Sequence, residues 1–256
     1  MTATKAESAK KKKVIILFAD THGFASSIFE ALQPIPDSSL TRKVSSIVIP
    51  VAEKYGISCE AEECQLVEFF DPDGSVQVSI FLLPNYTPPT AICIIHELLI
   101  LITNSNEPQS ILIPYYIEPQ KVTWKRTTST TPVVYSVEII DDTTATRDLS
   151  GAGLPRLPLP LTLQAIECEV LKCLVHLILP FKVPAMMIIG TRIDTTTKNQ
   201  DINCTFDVEH EILCELGDFL ANSTAGLYFA NDKTLLKEHN YVVELQQQNP
   251  WQALYG

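Results

Sequence analysis

The chain has 256 residues, 46% apolar and 19% charged, with a formal charge of −11 from 30 acidic against 19 basic side chains. That length fits one large α/β domain or two small ones, with one favoured and a substantial core in either case, and the balance excludes general disorder. The negative charge excludes a nucleic-acid partner unless basic residues gather on one face, and the only dense basic cluster is Lys10 to Lys13.

Residues 1–12 hold too little apolar content to fold and read as a flexible basic N-terminal tail; residues 13–248 read as the α/β domain. KVIILFA (13–19) and KVSSIVIP (43–50) are nearly continuous apolar runs, the pattern of strands buried on both faces of a sheet. Between them FASSIFEALQ has helical periodicity, which PIPD ends. QLVEFFD and SVQVSIFLLP flank Pro72-Asp73-Gly74 and predict a hairpin, because glycine supplies the positive φ of the turn. One antiparallel pair among buried strands makes the predicted central sheet mixed and flanked by helices.

AICIIHELLILITN then predicts a core helix, and SILIPYYI another buried strand. A Thr/Pro-rich insertion around 127–160 contains VVYSVEII as a strand and DDTTATRDLSGAG as an exposed loop, and the adjoining LPRLPLPL is expected to be extended. Leu163, Ile166, Val170, Leu174 and Leu177 recur at spacings of three and four, which predicts one amphipathic helix stopped by Pro180. VPAMMIIG (183–190) is an interior strand, FDVEHEILCELGDFLAN a helix capped by Asp207, and DKTLLKEHNYVVELQQQ a last helix with Asp232 as N-cap. Pro250 releases residues 249–256, NPWQALYG, as an aromatic, apolar tail.

The two greasiest windows, AICIIHELLILI and LTLQAIECEVLKCLVHLILP, are interrupted by charge, and the first spans about half the roughly 20 residues of a membrane helix. Both read as core helices, so no membrane partner is expected. Seven cysteines without a C-x-x-C pair, and no signal-peptide pattern, suit free thiols in a reducing compartment: the cytoplasm, with the nucleus as a second location. The Asn-x-Thr triplets at Asn85, Asn203 and Asn222 then carry no sugar.

The stretch that invites a catalytic reading is ADTHG. Asp20 and His22, one residue apart after the first strand, have the spacing of the first metal ligands of a metal-dependent phosphoesterase. Such a site also needs a bridging Gly-Asp, an Asn-His block and a His-x-His block. His96, His176, His210 and His239 all fall in predicted helices, and Gly217-Asp218 is mid-helix. The phosphoesterase therefore stands as the alternative, and no catalytic residue, metal or cofactor is expected. Asp20 and His22 read instead as the cap and turn leading into a helix. Gly151-Ala152-Gly153 follows no strand, Asp207, His210 and Cys214 form a polar helical stripe, and Cys168 and Cys173 read as small core fillers.

Leu254-Tyr255-Gly256 matches the pattern hydrophobic, tyrosine, any residue, ending at a free carboxylate. This resembles the HbYX tail by which proteasome activators and assembly chaperones enter pockets between α subunits. IECEVLKCLVHLILPFKVPAMMIIGTRID is similar to the segment of the proteasome assembly chaperone 1 family where a helix enters a Pro-Ala strand. The resemblance implies a non-enzymatic chaperone for 20S core assembly, paired as a heterodimer with a second assembly chaperone. In it Leu254 would be the apolar anchor, Tyr255 the ring and Gly256 the carboxylate donor in the proteasome α-ring pocket. An α/β interaction domain of another complex is the plainer alternative.

Overall fold

Five consecutive apolar residues, Val14 to Phe18, are all at most 4% exposed, so their strand belongs in the middle of a sheet. The computed structural model describes residues 12–49, 54–56, 63–104, 109–118, 121–122, 134–140, 153–191 and 202–234. Strand β1 (Lys12–Phe18) lies between β5 (Val76–Leu83) and β6 (Gln109–Tyr116), parallel to both. With β3 (Thr41–Ile47), β4 (Cys64–Phe70), β7 (Val134–Ile140) and β8 (Ala185–Gly190) they form a seven-stranded sheet of order β3-β4-β5-β1-β6-β8-β7. β6 and β8 are parallel, whereas β3, β4 and β7 pair antiparallel at the two sides, so the sheet is mixed.

Among the described residues it is covered by α1 (Phe24–Ala31), α2 (Thr90–Thr103), α3 (Leu159–Ala165), α4 (Glu169–Phe181) and α5 (Ile202–Ser223). Successive side chains of β1 feed two separate cores. Val14, Ile16 and Phe18 pack with α2, α3 and α4, while Ile15 and Leu17 pack with α1 and α5. The molecule is a single three-layered α/β domain. Each fully buried Ile or Leu in these layers contributes roughly 1.5–3 kcal/mol of transfer free energy. No helix among the described residues is long and apolar enough to cross a membrane.

The predicted hairpin joins β4 to β5. Gly74 has φ 81°, and the Asp71 carboxylate accepts from the Asp73 and Ser75 amides at 3.1 and 2.9 Å, which pins the turn from within.

Several expectations need correction. β1 begins at Lys12, the last residue assigned to the N-terminal tail. The strand around 43–50 is not buried on both faces: β3 lies at the end of the sheet, and Val44 is 54% exposed. Its Ser45-Ser46 pair breaks the apolar run, and among the described residues it pairs with β4 alone. Leu32–Pro34 is not the end of a helix but strand β2, antiparallel to β9 (Leu227–Phe229). The 163–177 helix is two helices. Ile166 and Cys168 are extended, and the Cys168 sulfur accepts from the Leu171 amide at 3.4 Å, starting α4 afresh. Ile166, Val170 and Leu174 still share one core, because periodicity reports which face is buried, not whether the backbone is continuous.

Pro180 lies inside α4, one residue before its end; the helix closes at Lys182, φ 54°, whose amide donates to the Ile178 and Leu179 carbonyls. The LPRLPLPL segment becomes helical at Leu159, with Pro160 in the first turn, where its missing N–H costs nothing. Asp207 is interior to α5, which starts five residues earlier at Ile202. The DDTTATRDLSG part of the insertion, most of the last predicted helix and the 249–256 tail lie outside the described residues.

Two glycines set how closely α5 approaches its neighbours. A Cβ on Gly190 would sit 2.6 Å from Ile212 Cγ2, and one on Gly217 would sit 2.3 Å from Phe229 Cδ2. Gly217→Ala should therefore destabilise the domain by about 1–3 kcal/mol, despite the better helix propensity of alanine. Chemical denaturation of the two proteins measures it, and equal midpoints would show that the α5–β9 contact is loose.

Candidate functional site

In an open α/β sheet, a crevice forms at the carboxyl ends of the parallel strands where neighbours on either side lead away in opposite directions. Here that point is the end of β1, flanked by β5 and β6, and a cavity of about 430 Å³ opens there.

The β1–α1 turn carries Asp20 and His22 into this cavity. The Ala19 amide donates to the Leu83 carbonyl at 2.8 Å, tying the turn to the end of β5, and Gly23, φ 76°, starts α1. Asp20 Oδ1 accepts from the Phe24 amide at 3.1 Å and Oδ2 from the Ala25 amide at 2.8 Å. Both carboxylate oxygens are thus spent on the first N–H groups of α1, a favourable place for negative charge. The expectation that Asp20 caps this helix holds.

His22 is held between two carboxylates from different elements. Nε2 lies 3.4 Å from Glu118 Oε1, just past β6, and Nδ1 lies 3.4 Å from Glu209 Oε1 on α5. Its ring meets the edge of Tyr116 at 5.3 Å, and Tyr116 stacks on Phe24 at 4.4 Å with planes 2° apart. The Tyr116 hydroxyl donates to Glu209 at 3.4 Å. Further along, Lys121 Nζ lies 3.3 Å from Glu118 and 2.7 Å from Glu167. With His22 protonated, charges alternate in the order Glu209, His22, Glu118, Lys121, Glu167.

This order shifts the titrations. The hydrogen bond to Glu209 raises the His22 pKa, against the opposing effect of burial, with Glu118 and Asp20 adding to the rise. Burial pushes Glu118 up, but hydrogen bonds from Lys121 and His22 outweigh it and hold the carboxyl below its ordinary value. The hydrogen bond to Glu167 raises Lys121 against the opposing effect of burial, with Glu118 adding to the rise. Burial pushes the Tyr115 hydroxyl up to about 12 and raises the Cys168 thiol, so neither is an activated nucleophile.

As a metal centre the arrangement is poor. Asp20 faces backbone N–H groups, His22 faces carboxylates through both nitrogens, and among the described residues no three His, Cys, Asp or Glu side chains converge as ligands. His210 meets the Cys214 sulfur at 3.7 Å and the Thr234 hydroxyl at 3.4 Å, on α5 and beyond it. Leu254, Tyr255 and Gly256 lie outside the described residues. Sequence reasoning missed Glu118, Lys121 and Tyr116. The one signal was position, since a polar run directly after the strand SILIPYYI must lie at the carboxyl end of the sheet.

Asp20→Ala should cost about 0.5–2 kcal/mol in chemical denaturation, the usual loss for a helix cap. Because the folded His22 pKa is raised, its contribution to stability is whole below about pH 6.5 and fades as pH climbs through the folded value. The gap in Tm between wild type and His22→Gln should be widest near pH 6 and narrow as pH rises above the ordinary histidine value of about 6.5; a gap independent of pH would remove the charge from the account.

No curated protein matches the sequence. Among solved structures, Pyrococcus furiosus PbaA, an archaeal homologue of proteasome-assembly chaperone, is similar with a TM-score of 0.52 at 11% identity, over 94% of this chain and 92% of that one. A Corynebacterium glutamicum protein of unknown function is similar with a TM-score of 0.50 at 10% identity, over 95% of this chain and 85% of that one. A putative methylthioadenosine nucleosidase from Weissella paramesenteroides reaches a TM-score of 0.43 at 9% identity, over 83% of this chain and 98% of that one. The last value carries no argument, and the first two indicate a shared fold. The profile of the family described as "Domain of unknown function (DUF7894)" matches residues 9–256, so the chain belongs to that family.

Proposed function

We propose that this protein is a non-enzymatic chaperone for assembly of the 20S proteasome core. It acts as a heterodimer with a second assembly chaperone and docks the tail 249–256 into pockets between α-ring subunits. The observation that carries this reading is the fold, shared along almost the whole chain with a homologue of proteasome-assembly chaperone; Leu254-Tyr255-Gly256 are the residues proposed to dock. The tail supplies what a pocket can grip: an aliphatic anchor, a ring with a hydroxyl handle, and a carboxylate for a basic side chain. In this reading Pro250, which cannot continue a helix, separates the docking residues from the α/β domain. The cytoplasm and nucleus are where such a protein would meet its ring.

The engaged state of Asp20 and the neutralised His22–Glu118–Lys121 order support a scaffold role for the β1–α1 turn rather than phosphate-ester hydrolysis. Affinity purification of the full chain should recover proteasome α subunits and one further chaperone by mass spectrometry. Removal of Leu254 to Gly256, or Tyr255→Ala, should lower recovery of α subunits about tenfold, the loss of one aromatic anchor, with Tm unchanged. Recovery of α subunits unaffected by both changes would exclude tail docking, and a different set of partners would favour an interaction domain of another complex.

A further inference from the structure

The rim of the cavity already holds an ammonium group. Lys121 Nζ sits between Glu167 Oε2 at 2.7 Å and Glu118 Oε1 at 3.3 Å. We propose that the cavity at the carboxyl ends of β1 and β6 binds a small organic amine with an aromatic or apolar body, its ammonium taking the seat between Glu118 and Glu167 that Lys121 fills.

Charge selects this class of ligand. In an α/β fold the usual anion position is the start of the helix that follows the first strand. Here the Phe24 and Ala25 amides at that position are bonded to Asp20, so the chain supplies its own anion. Of the charged groups lining the cavity, Asp20, Glu118, Glu167 and Glu169 are acidic, against His22 and Lys121. Lys121, and His22 when protonated, are each flanked by two carboxylates: His22 by Glu118 and Glu209, Lys121 by Glu118 and Glu167. A phosphate or carboxylate entering here would have to displace one carboxylate from a cation while facing the others. An ammonium has to displace only another ammonium, on a side chain that is 30% exposed and has a flexible stem by which to swing into water.

The walls suit the body of such a ligand. Phe18, Tyr86, Tyr115 and Tyr116 line the cavity, and aromatic faces attract both apolar rings and cations. The volume of about 430 Å³ falls in the range of small-molecule pockets. None of this depends on the C-terminal tail, so the amine site and the chaperone reading stand or fall separately.

Isothermal titration calorimetry of the full-length protein with 2-phenylethylamine, and with phenylacetate as the same ring bearing the opposite charge, tests the assignment. The amine should bind saturably at one equivalent and more weakly as salt is raised, and phenylacetate should not bind. Glu118→Gln and Glu167→Gln should each weaken amine binding, Glu118→Gln by about tenfold or more. Lys121→Ala should strengthen it several-fold, because the seat is then vacant. Circular dichroism and Tm identify any variant that fails to fold, and the Glu167 side chain, 71% exposed, is a position where the domain tolerates change. Preference for phenylacetate, weaker amine binding in folded Lys121→Ala, unchanged binding in both glutamine variants, or no saturable amine binding by wild type and Lys121→Ala would each overturn it.

Discussion

The burial of β1 on both faces is the constraint from which the rest of this structure follows. A strand with Val14, Ile16 and Phe18 on one side and Ile15 and Leu17 on the other needs a helical layer above and below, and needs strands on both of its edges. With β5 on one edge and β6 on the other, the chain after β1 finds itself at the point where neighbouring connections diverge. A crevice at that point is a geometric result of the topology. Its contents are set by the residues that happen to follow β1, β5 and β6, which is why one turn and one strand end supply most of the charged groups.

What fills the crevice is a self-satisfied charge system. Asp20 neutralises the start of α1, and the alternating series from Glu209 to Glu167 pairs each cation with two carboxylates drawn from separate elements. Such pairs stitch the β1–α1 turn to the end of β6 and to α5. Partial burial makes them stronger than exposed ion pairs without the full penalty of a buried charge. Asp20 and His22 share their spacing with metal-binding residues, yet the same side chains here do structural work. Chemistry belongs to the surroundings of a residue as much as to its type.

Much of the fold was legible because its signals are local or periodic. The Pro-Asp-Gly turn, the apolar runs of β1, β6 and β8, and the length of α2 all follow from rules that act within about ten residues. The misreadings share a cause. KVSSIVIP looks like a buried strand, and only its place at the end of the sheet exposes Val44. Leu32–Pro34 looks like a helix end until Leu227–Phe229, nearly two hundred residues later, offers a strand to pair with. Cys168 interrupts a clean helical repeat because its sulfur caps a new helix, a competition that a periodicity cannot register. The site was legible only by half: Asp20 as a cap follows from its place before a helix, whereas Glu118, Lys121 and Glu209 carry no motif.

By itself the sequence determined the mixed α/β class, the two-faced burial of β1 and the capping role of Asp20, since each depends on residues close together in the chain. Only the tertiary structure decided which strand lies at the end of the sheet, and that His22 sits between Glu118 and Glu209, 96 and 187 residues away in the sequence. It also decided that the lysine nearest the cavity is paired with two carboxylates. Electrostatic pairing depends on distances of a few ångströms, and those distances are set when the layers pack, not when the residues are joined.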